Sequence, residues 1–356
     1  MIHNHAPQLV ADLVPLILDS TASSWPRDFC RLGLISSIWL DPVRRRLYDH
    51  PILHSFKGCS LLARTLESNP SLLSLLHGLD LRPMYDERSQ ERQSLAKDLT
   101  GVRYLLNVDG LRTITLGGQL SLAAERFLMM MGSAYTVEEL CVDGGAFQNS
   151  LSRRPSLEWG GSVGCMLPSL KKLVLKGIEL DVVQPISCQL RLTELVLDHV
   201  TLTGGFLVHM LDEDSTLGRL TIVTDDSVAY DEQIRSLTHY FRIEGLEYDG
   251  DECGGSPIGE GGIVGSDSAN LRSLRELHLR GFNVDWDALE MIGEQCPELE
   301  ELVVAGEGVR LSAEEWATFI ERASGCLKRV GCPEGDSGER VSSMCRTYGV
   351  VLLGLY

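Results

Sequence analysis

The sequence is poor in the patterns from which chemistry is usually read. Its ten cysteines, at 30, 59, 141, 165, 188, 253, 296, 326, 332 and 345, include no Cys-x-x-Cys pair, so the common zinc spacing is missing. There is no P-loop, no His-Glu-x-x-His and no Gly-x-Ser-x-Gly. Gly259-x-Gly261-x-x-x-Gly265 comes near a dinucleotide loop but lacks a strand before it and a helix after it, and reads as loop. The acidic pairs Asp225-Asp226 and Asp249-x-Asp251-Glu252 offer too few oxygens at a defined spacing for calcium. His3 and His5 lie in the tail, and no nucleophile, base and orienter can be placed together. No cofactor, metal or catalytic activity is therefore expected.

Positive charge is also scarce. Lys and Arg number 32 against 50 Asp and Glu, a net of −18, and the only dense basic cluster is Arg44-Arg45-Arg46. A nucleic-acid partner needs a clustered basic surface that displaces counterions, so none is expected. The triplet reads as a solvated helix face or a small nuclear-import signal. Long apolar runs are missing too: residues 9–18 are apolar but short, and contain Asp12 and Pro15, which fits neither a membrane span nor a signal peptide. A reducing compartment, cytoplasmic or nuclear, is expected, with no membrane partner and no framework of disulfides.

What is abundant is leucine at a fixed phase. Leu-x-x-Leu-x-Leu recurs at Leu170-Leu173-Leu175, Leu192-Leu195-Leu197 and Leu274-Leu277-Leu279. Close relatives start at Leu111, Val137, Leu217 and Leu299, and weaker ones at Leu76, Ile243 and Leu327. From Leu170 to Leu192 is 22 residues, Leu192 to Leu217 is 25, Leu217 to Ile243 is 26, Leu274 to Leu299 is 25 and Leu299 to Leu327 is 28. These intervals fall in or near the period of about 20–29 residues of leucine-rich repeats. Two longer gaps, near 144–164 and 249–270, are rich in Ser, Gly and charged residues and read as surface insertions.

The last two apolar positions of each copy alternate with outward residues, as on a strand. The return segments read as helices over Trp286 to Cys296, ended by Pro297, and over Ala313 to Ala323. The expected fold is α/β: a leucine-rich-repeat solenoid, or horseshoe, over residues 59–356, behind a small helical domain over 1–58. Residues flanking the strand leucines would form a concave binding wall. Its candidate substrate-binding residues are Lys172, Lys176, Glu194, Asp198, Arg219, Glu247, Glu276, His278, Arg280 and Glu301, with His278 expected to be exposed. Their mixed charge favours a specific protein partner.

The head reads as three helices. Leu9, Leu13, Leu16 and Ile17 sit near one helical face. Phe29 to Leu40 carries Cys30, Leu34 and Ile38 with Ile35 and Trp39 beside them. Asp41 then caps a third helix with Pro42 at its first position. This stretch resembles the F-box, especially as found in fungal F-box-like proteins with leucine-rich repeats. The opening appears as Leu9-Val10-Ala11-Asp12-Leu13-Val14-Pro15-Leu16-Ile17-Leu18. The second half appears as Cys30-Arg31-Leu32-Gly33-Leu34-Ile35-Ser36-Ser37-Ile38-Trp39, followed by Arg45-Arg46-Leu47-Tyr48. Val10 stands where the family has proline, Asp12 where it has glutamate, and one extra residue separates Cys30 from Trp39.

The resemblance implies a non-catalytic substrate receptor of a cullin ubiquitin ligase. The head would dock a Skp-type adaptor through Leu9, Leu13, Leu16, Ile17, Cys30, Leu34, Ile35, Trp39 and Leu47, while the repeat domain recruits a protein substrate. The same residues also fit a second reading, a stand-alone repeat scaffold in which the head only caps the solenoid, since a terminal repeat otherwise exposes core.

Overall fold

The computed structural model describes residues 13–18, 26–84, 94–148, 154–183, 189–250, 256–257, 263, 271–306, 308–332 and 338–354. The chain is mixed α/β, and its strands pair in parallel. It packs as two compact units, one of residues 1–120 with 130–137, the other of 121–129 with 138–356. The residues expected to form a separate head lie in the first unit, together with the first strands.

The first unit opens with α1 (residues 13–18), α2 (Pro26–Gly33) and α3 (Ser37–Asp49). The expected helix from Phe29 to Leu40 is broken at residues 34–36, and α3 starts four residues before the cap assigned to Asp41. Pro42 thus sits inside α3, where it removes a backbone donor at a cost of about 3 kcal/mol. Packing offsets that cost: Val43 is buried with Val14, Leu18 and Phe29, and Leu32, Ile38, Trp39 and Leu47 pack against them.

Beyond the head, β1 (Ile52–Leu53), β2 (Gly78–Leu81) and β3 (Thr113–Gly117) pair in parallel, with Leu79 opposite Ile114 and Leu81 opposite Leu116. The connections are α4 (Phe56–Ser68), capped by Ser55 accepting from the Gly58 N–H at 3.1 Å, and α5 (Ser94–Leu106). These two helices cross closely: a Cβ on Gly101 would lie 2.7 Å from Ser60 Cα.

The second unit starts with α6 (Ala124–Leu128) and carries a long parallel sheet. Its strands are β4 (Glu139–Asp143), β6 (Lys172–Lys176), β8 (Glu194–Asp198), β10 (Thr216–Val223), β11 (Arg242–Asp249), β13 (Glu276–Arg280), β15 (Glu301–Ala305), β16 (Arg329–Gly331) and β17 (Val351–Leu353). One ladder of the sheet runs Leu140, Leu173, Leu195, Leu220, Leu246, Leu277, Leu302, Val330. A second runs Val142, Leu175, Leu197, Ile222, Tyr248, Leu279, Val304. All are buried, and each leucine contributes about 1.5–3 kcal/mol by leaving water.

Return segments carry α8 (Ser227–Tyr240), α9 (Trp286–Gln295), α10 (Ala313–Ala323) and α11 (Gly338–Tyr348). Asp226 and Asp285 cap α8 and α9, and Ser312 with Glu315 forms a capping box on α10. Helices α9 and α10 fall where the sequence places them, α9 ending before Pro297.

The gap near 144–164 is not merely a surface insertion. It holds β5 (Ser156–Trp159) and leads into α7 (Gly161–Met166), with Leu157, Trp159 and Val163 buried. Strand β5 pairs with β7 (Glu179–Val182), which pairs with β9 (Thr201–Gly204), giving a second small parallel sheet. Apolar residues spaced two apart among polar ones, Leu157 and Trp159, are a strand signal too short to see inside a polar stretch. Most of 249–270 lies outside the described residues, but β12 (Ser256–Pro257) pairs with β14 (Phe282–Asn283) and Ile263 is buried. Cys165 is disulfide-bonded, which the expectation of a reducing compartment did not anticipate. No helix among the described residues is long and apolar enough to cross a membrane.

Candidate functional site

Two surfaces gather the residues singled out from the sequence. The first is on the head. Residue 14 lies 100° around a helix from residue 13, so α1 cannot bury both of the apolar sets it carries. It buries Val14 and Leu18, and leaves Leu13, Leu16 and Ile17 exposed, Leu16 at 63%. The packed face is therefore not the expected one. Leu9 lies outside the described residues.

After α2 ends at Gly33, Leu34 and Ile35 stand on the break before α3 and are 86% and 66% exposed; Cys30 is exposed as well. Trp39 and Leu47 instead pack onto the head's own core. Of the predicted docking residues, then, Leu13, Leu16, Ile17, Cys30, Leu34 and Ile35 face solvent, and two are committed to folding.

The second surface is the face of the long sheet opposite the leucines. Because the strands pair without slip, outward residues fall into rows. One row reads Glu139, Lys172, Glu194, Arg219, Gly245, Glu276, Glu301, Arg329. The middle row reads Cys141, Val174, Val196, Thr221, Glu247, His278, Val303, and the third Asp143, Lys176, Asp198, Val223, Asp249, Arg280, Ala305. All ten predicted substrate residues lie here.

Their charges are largely engaged with one another. Lys172 pairs with Glu194 at 2.8 Å, Lys176 with Asp198 at 3.4 Å and Arg280 with Asp249 at 3.6 Å. Arg219 donates to Glu276 at 2.6 Å, and that hydrogen bond pushes the guanidinium further toward its charged form. Arg329 bonds Glu301 and reaches Glu276 at 3.5 Å. Glu301, expected on an open wall, is buried at 8% exposure, and His278 is half-buried, donating from Nε2 to Glu301 at 2.8 Å. A buried carboxylate is tolerated because two donors satisfy it. Arg329 was missed by the sequence reading, although it occupies the same phase after Leu327 that Lys172 occupies after Leu170.

A third element was not singled out from the sequence. The residue after each strand continues the ladder: the Gly144, Gly177, His199, Gly250 and Gly281 N–H groups donate to the next rung at 2.7, 2.8, 2.7, 2.9 and 3.1 Å. Glycine holds this place repeatedly, and φ is 56° at Gly177, 79° at Gly281 and 114° at Gly306. His199 takes it with φ 51°, a left-handed conformation that favours glycine. Its Nδ1 donates to Asp198 at 2.7 Å, and it lines a small hollow of about 130 Å³ with Phe147, Arg154, Glu179 and Asp225.

No protein-family model matches this chain, and no curated protein is significantly similar to it.

Proposed function

We propose that the chain is a leucine-rich-repeat solenoid that serves as a non-catalytic substrate receptor of a cullin ubiquitin ligase, acting in the cytoplasm or nucleus. In this reading the F-box-like head docks a Skp-type adaptor and the charged face of the long sheet holds a protein substrate. The solenoid part of the proposal is supported by strands recurring every 22 to 31 residues between Leu170 and Leu327, paired in parallel with their apolar residues in register.

The observation that carries the docking part is the division of labour within the head. Val14, Leu18, Phe29 and Val43 form its core, with Leu32, Ile38, Trp39 and Leu47 packed against them, while Leu13, Leu16, Ile17, Leu34 and Ile35 remain exposed. Several exposed large apolar side chains on a small helical element are a characteristic partner-binding feature. A head that served only as a cap would spend that face inside its own chain.

Co-expression with a Skp-type adaptor tests the proposal, comparing wild type with a Leu13→Asp, Leu34→Asp double variant. Both side chains are exposed, so the fold should survive, as circular dichroism would verify. Co-purification of wild type but not of the variant is expected. If neither binds, the head is a cap and the receptor assignment fails.

A further inference from the structure

We propose that the first unit carries a binding groove for a small organic anion, meaning one carboxylate, sulfonate or phosphate on an apolar body. This proposal is independent of the ubiquitin-ligase reading. The open groove lies between α1, α3 and the short 3-10 turn Pro70–Leu75, and has a volume of about 590 Å³. That is the size of an ordinary small-ligand site. It opens on the opposite side of α1 from the exposed leucines, because Pro15 and Leu18 point away from Leu13, Leu16 and Ile17.

The chemistry of the lining selects the ligand. Pro15, Leu18, Pro42 and Leu75 supply an apolar wall. Two carboxylates also line the groove, but both are engaged: Asp41 by Arg45 at 3.1 Å and Asp49 by His77 Nδ1 at 2.7 Å. Arg46 also lines it, and has no ion-pair partner among the described residues. A cation entering the groove would meet the Arg46 guanidinium beside carboxylates that already accept from Arg45 and His77. An anion finds a guanidinium ready to donate two hydrogen bonds, beside a surface that takes up a ring or short aliphatic chain. The middle arginine of the triplet thus secures the acidic rim, and the last one is left to bind.

The test is isothermal titration of the full chain with 2-naphthoate and with its neutral counterpart 2-naphthylmethanol. Saturable one-to-one binding of naphthoate is expected, with the alcohol weaker by about tenfold, the effect of losing a charge-assisted contact. Arg46→Gln should weaken naphthoate by a similar factor, and Leu75→Gln should weaken both probes. Arg44→Gln, which alters the neighbouring arginine outside the groove, and Leu34→Ser, which alters the exposed head face, should leave the affinity unchanged. The proposal is overturned if naphthoate gives no saturable binding up to millimolar concentration, if the alcohol binds equally well, or if Arg44→Gln weakens binding as much as Arg46→Gln does.

Discussion

Arg219 and Glu276 form a 2.6 Å hydrogen-bonded ion pair although a whole strand separates them. The strand between is β11, and the residue directly between is Gly245. The guanidinium crosses a backbone with no side chain: a Cβ on Gly245 would lie 3.7 Å from both Arg219 Nε and Glu276 Oε2. A methyl group fits there, and anything larger occupies the bridge's path. Both partners are partly exposed, so the pair is worth about 0.5 kcal/mol in a double-mutant cycle of Arg219→Ala and Glu276→Ala. In a Gly245→Leu background that coupling should fall to zero in denaturant titrations. Coupling that persists there would mean the charges reach each other by another route.

His199 makes a sharper test of backbone geometry. Its φ of 51° costs a side-chain-bearing residue about 1–2 kcal/mol, partly offset by the smaller entropy of a non-glycine unfolded chain. His199→Gly relieves the strain, whereas His199→Ala keeps it and loses the bond to Asp198. The glycine variant should be the more stable of the two by about 1 kcal/mol. Equal melting temperatures would show that the conformation is not strained.

Gly101 is expected to tolerate no side chain. The Cβ of Gly101→Ala would meet Ser60 Cα at 2.7 Å and Ser60 N at 2.9 Å, and backbone atoms in a packed helix cannot rotate away. Overpacking of this kind costs about 1–3 kcal/mol, against a gain in helix propensity of about 1 kcal/mol. The net effect is destabilisation by about 1 kcal/mol, read from chemical denaturation. A variant more stable than wild type would mean that α4 and α5 do not pack this closely.

Thiol chemistry separates two cysteines. Cys30 is exposed, while Cys296 is buried at the end of α9 and burial pushes its thiol up to about 12. At pH 8 an alkylating reagent followed by mass mapping should label Cys30 and leave Cys296 intact until denaturant is added. The sign of the pH effect follows from linkage. An unfolded Cys296 loses its proton near its ordinary value of 9.0 and the folded one only near 12, so native stability falls as pH rises between them. Cys296→Ala should flatten that fall, and an unchanged alkaline slope would contradict it.

The strands were legible because a leucine buried on one rung must have a leucine at the same phase on the next. Leu173, Leu195 and Leu220 announce each other through sequence spacing alone. The head was harder for a physical reason. A helical stretch of Leu13-Val14-Pro15-Leu16-Ile17-Leu18 offers two apolar faces of equal merit, and only Phe29 and Val43, brought in from α2 and α3, decide that Val14 and Leu18 are the buried pair. Glu301 shows the same limit. Nothing near it in sequence explains a buried carboxylate, because its donors Arg329 and His278 sit on the neighbouring strands. Gly245 was silent for the opposite reason, since its importance lies in a side chain it lacks.

Every described pairing in the long sheet joins rungs that are consecutive along the chain, in parallel and with an apolar residue opposite an apolar residue. Loss or duplication of one whole rung therefore rejoins strand to strand in the same phase, whereas removal of a single strand residue turns that strand's leucines outward. A lineage carrying this architecture can lengthen or shorten its charged face by copying rungs while leaving the core recipe untouched. That face is thus free to grow by modular steps, each adding up to three new outward side chains to be shaped by selection.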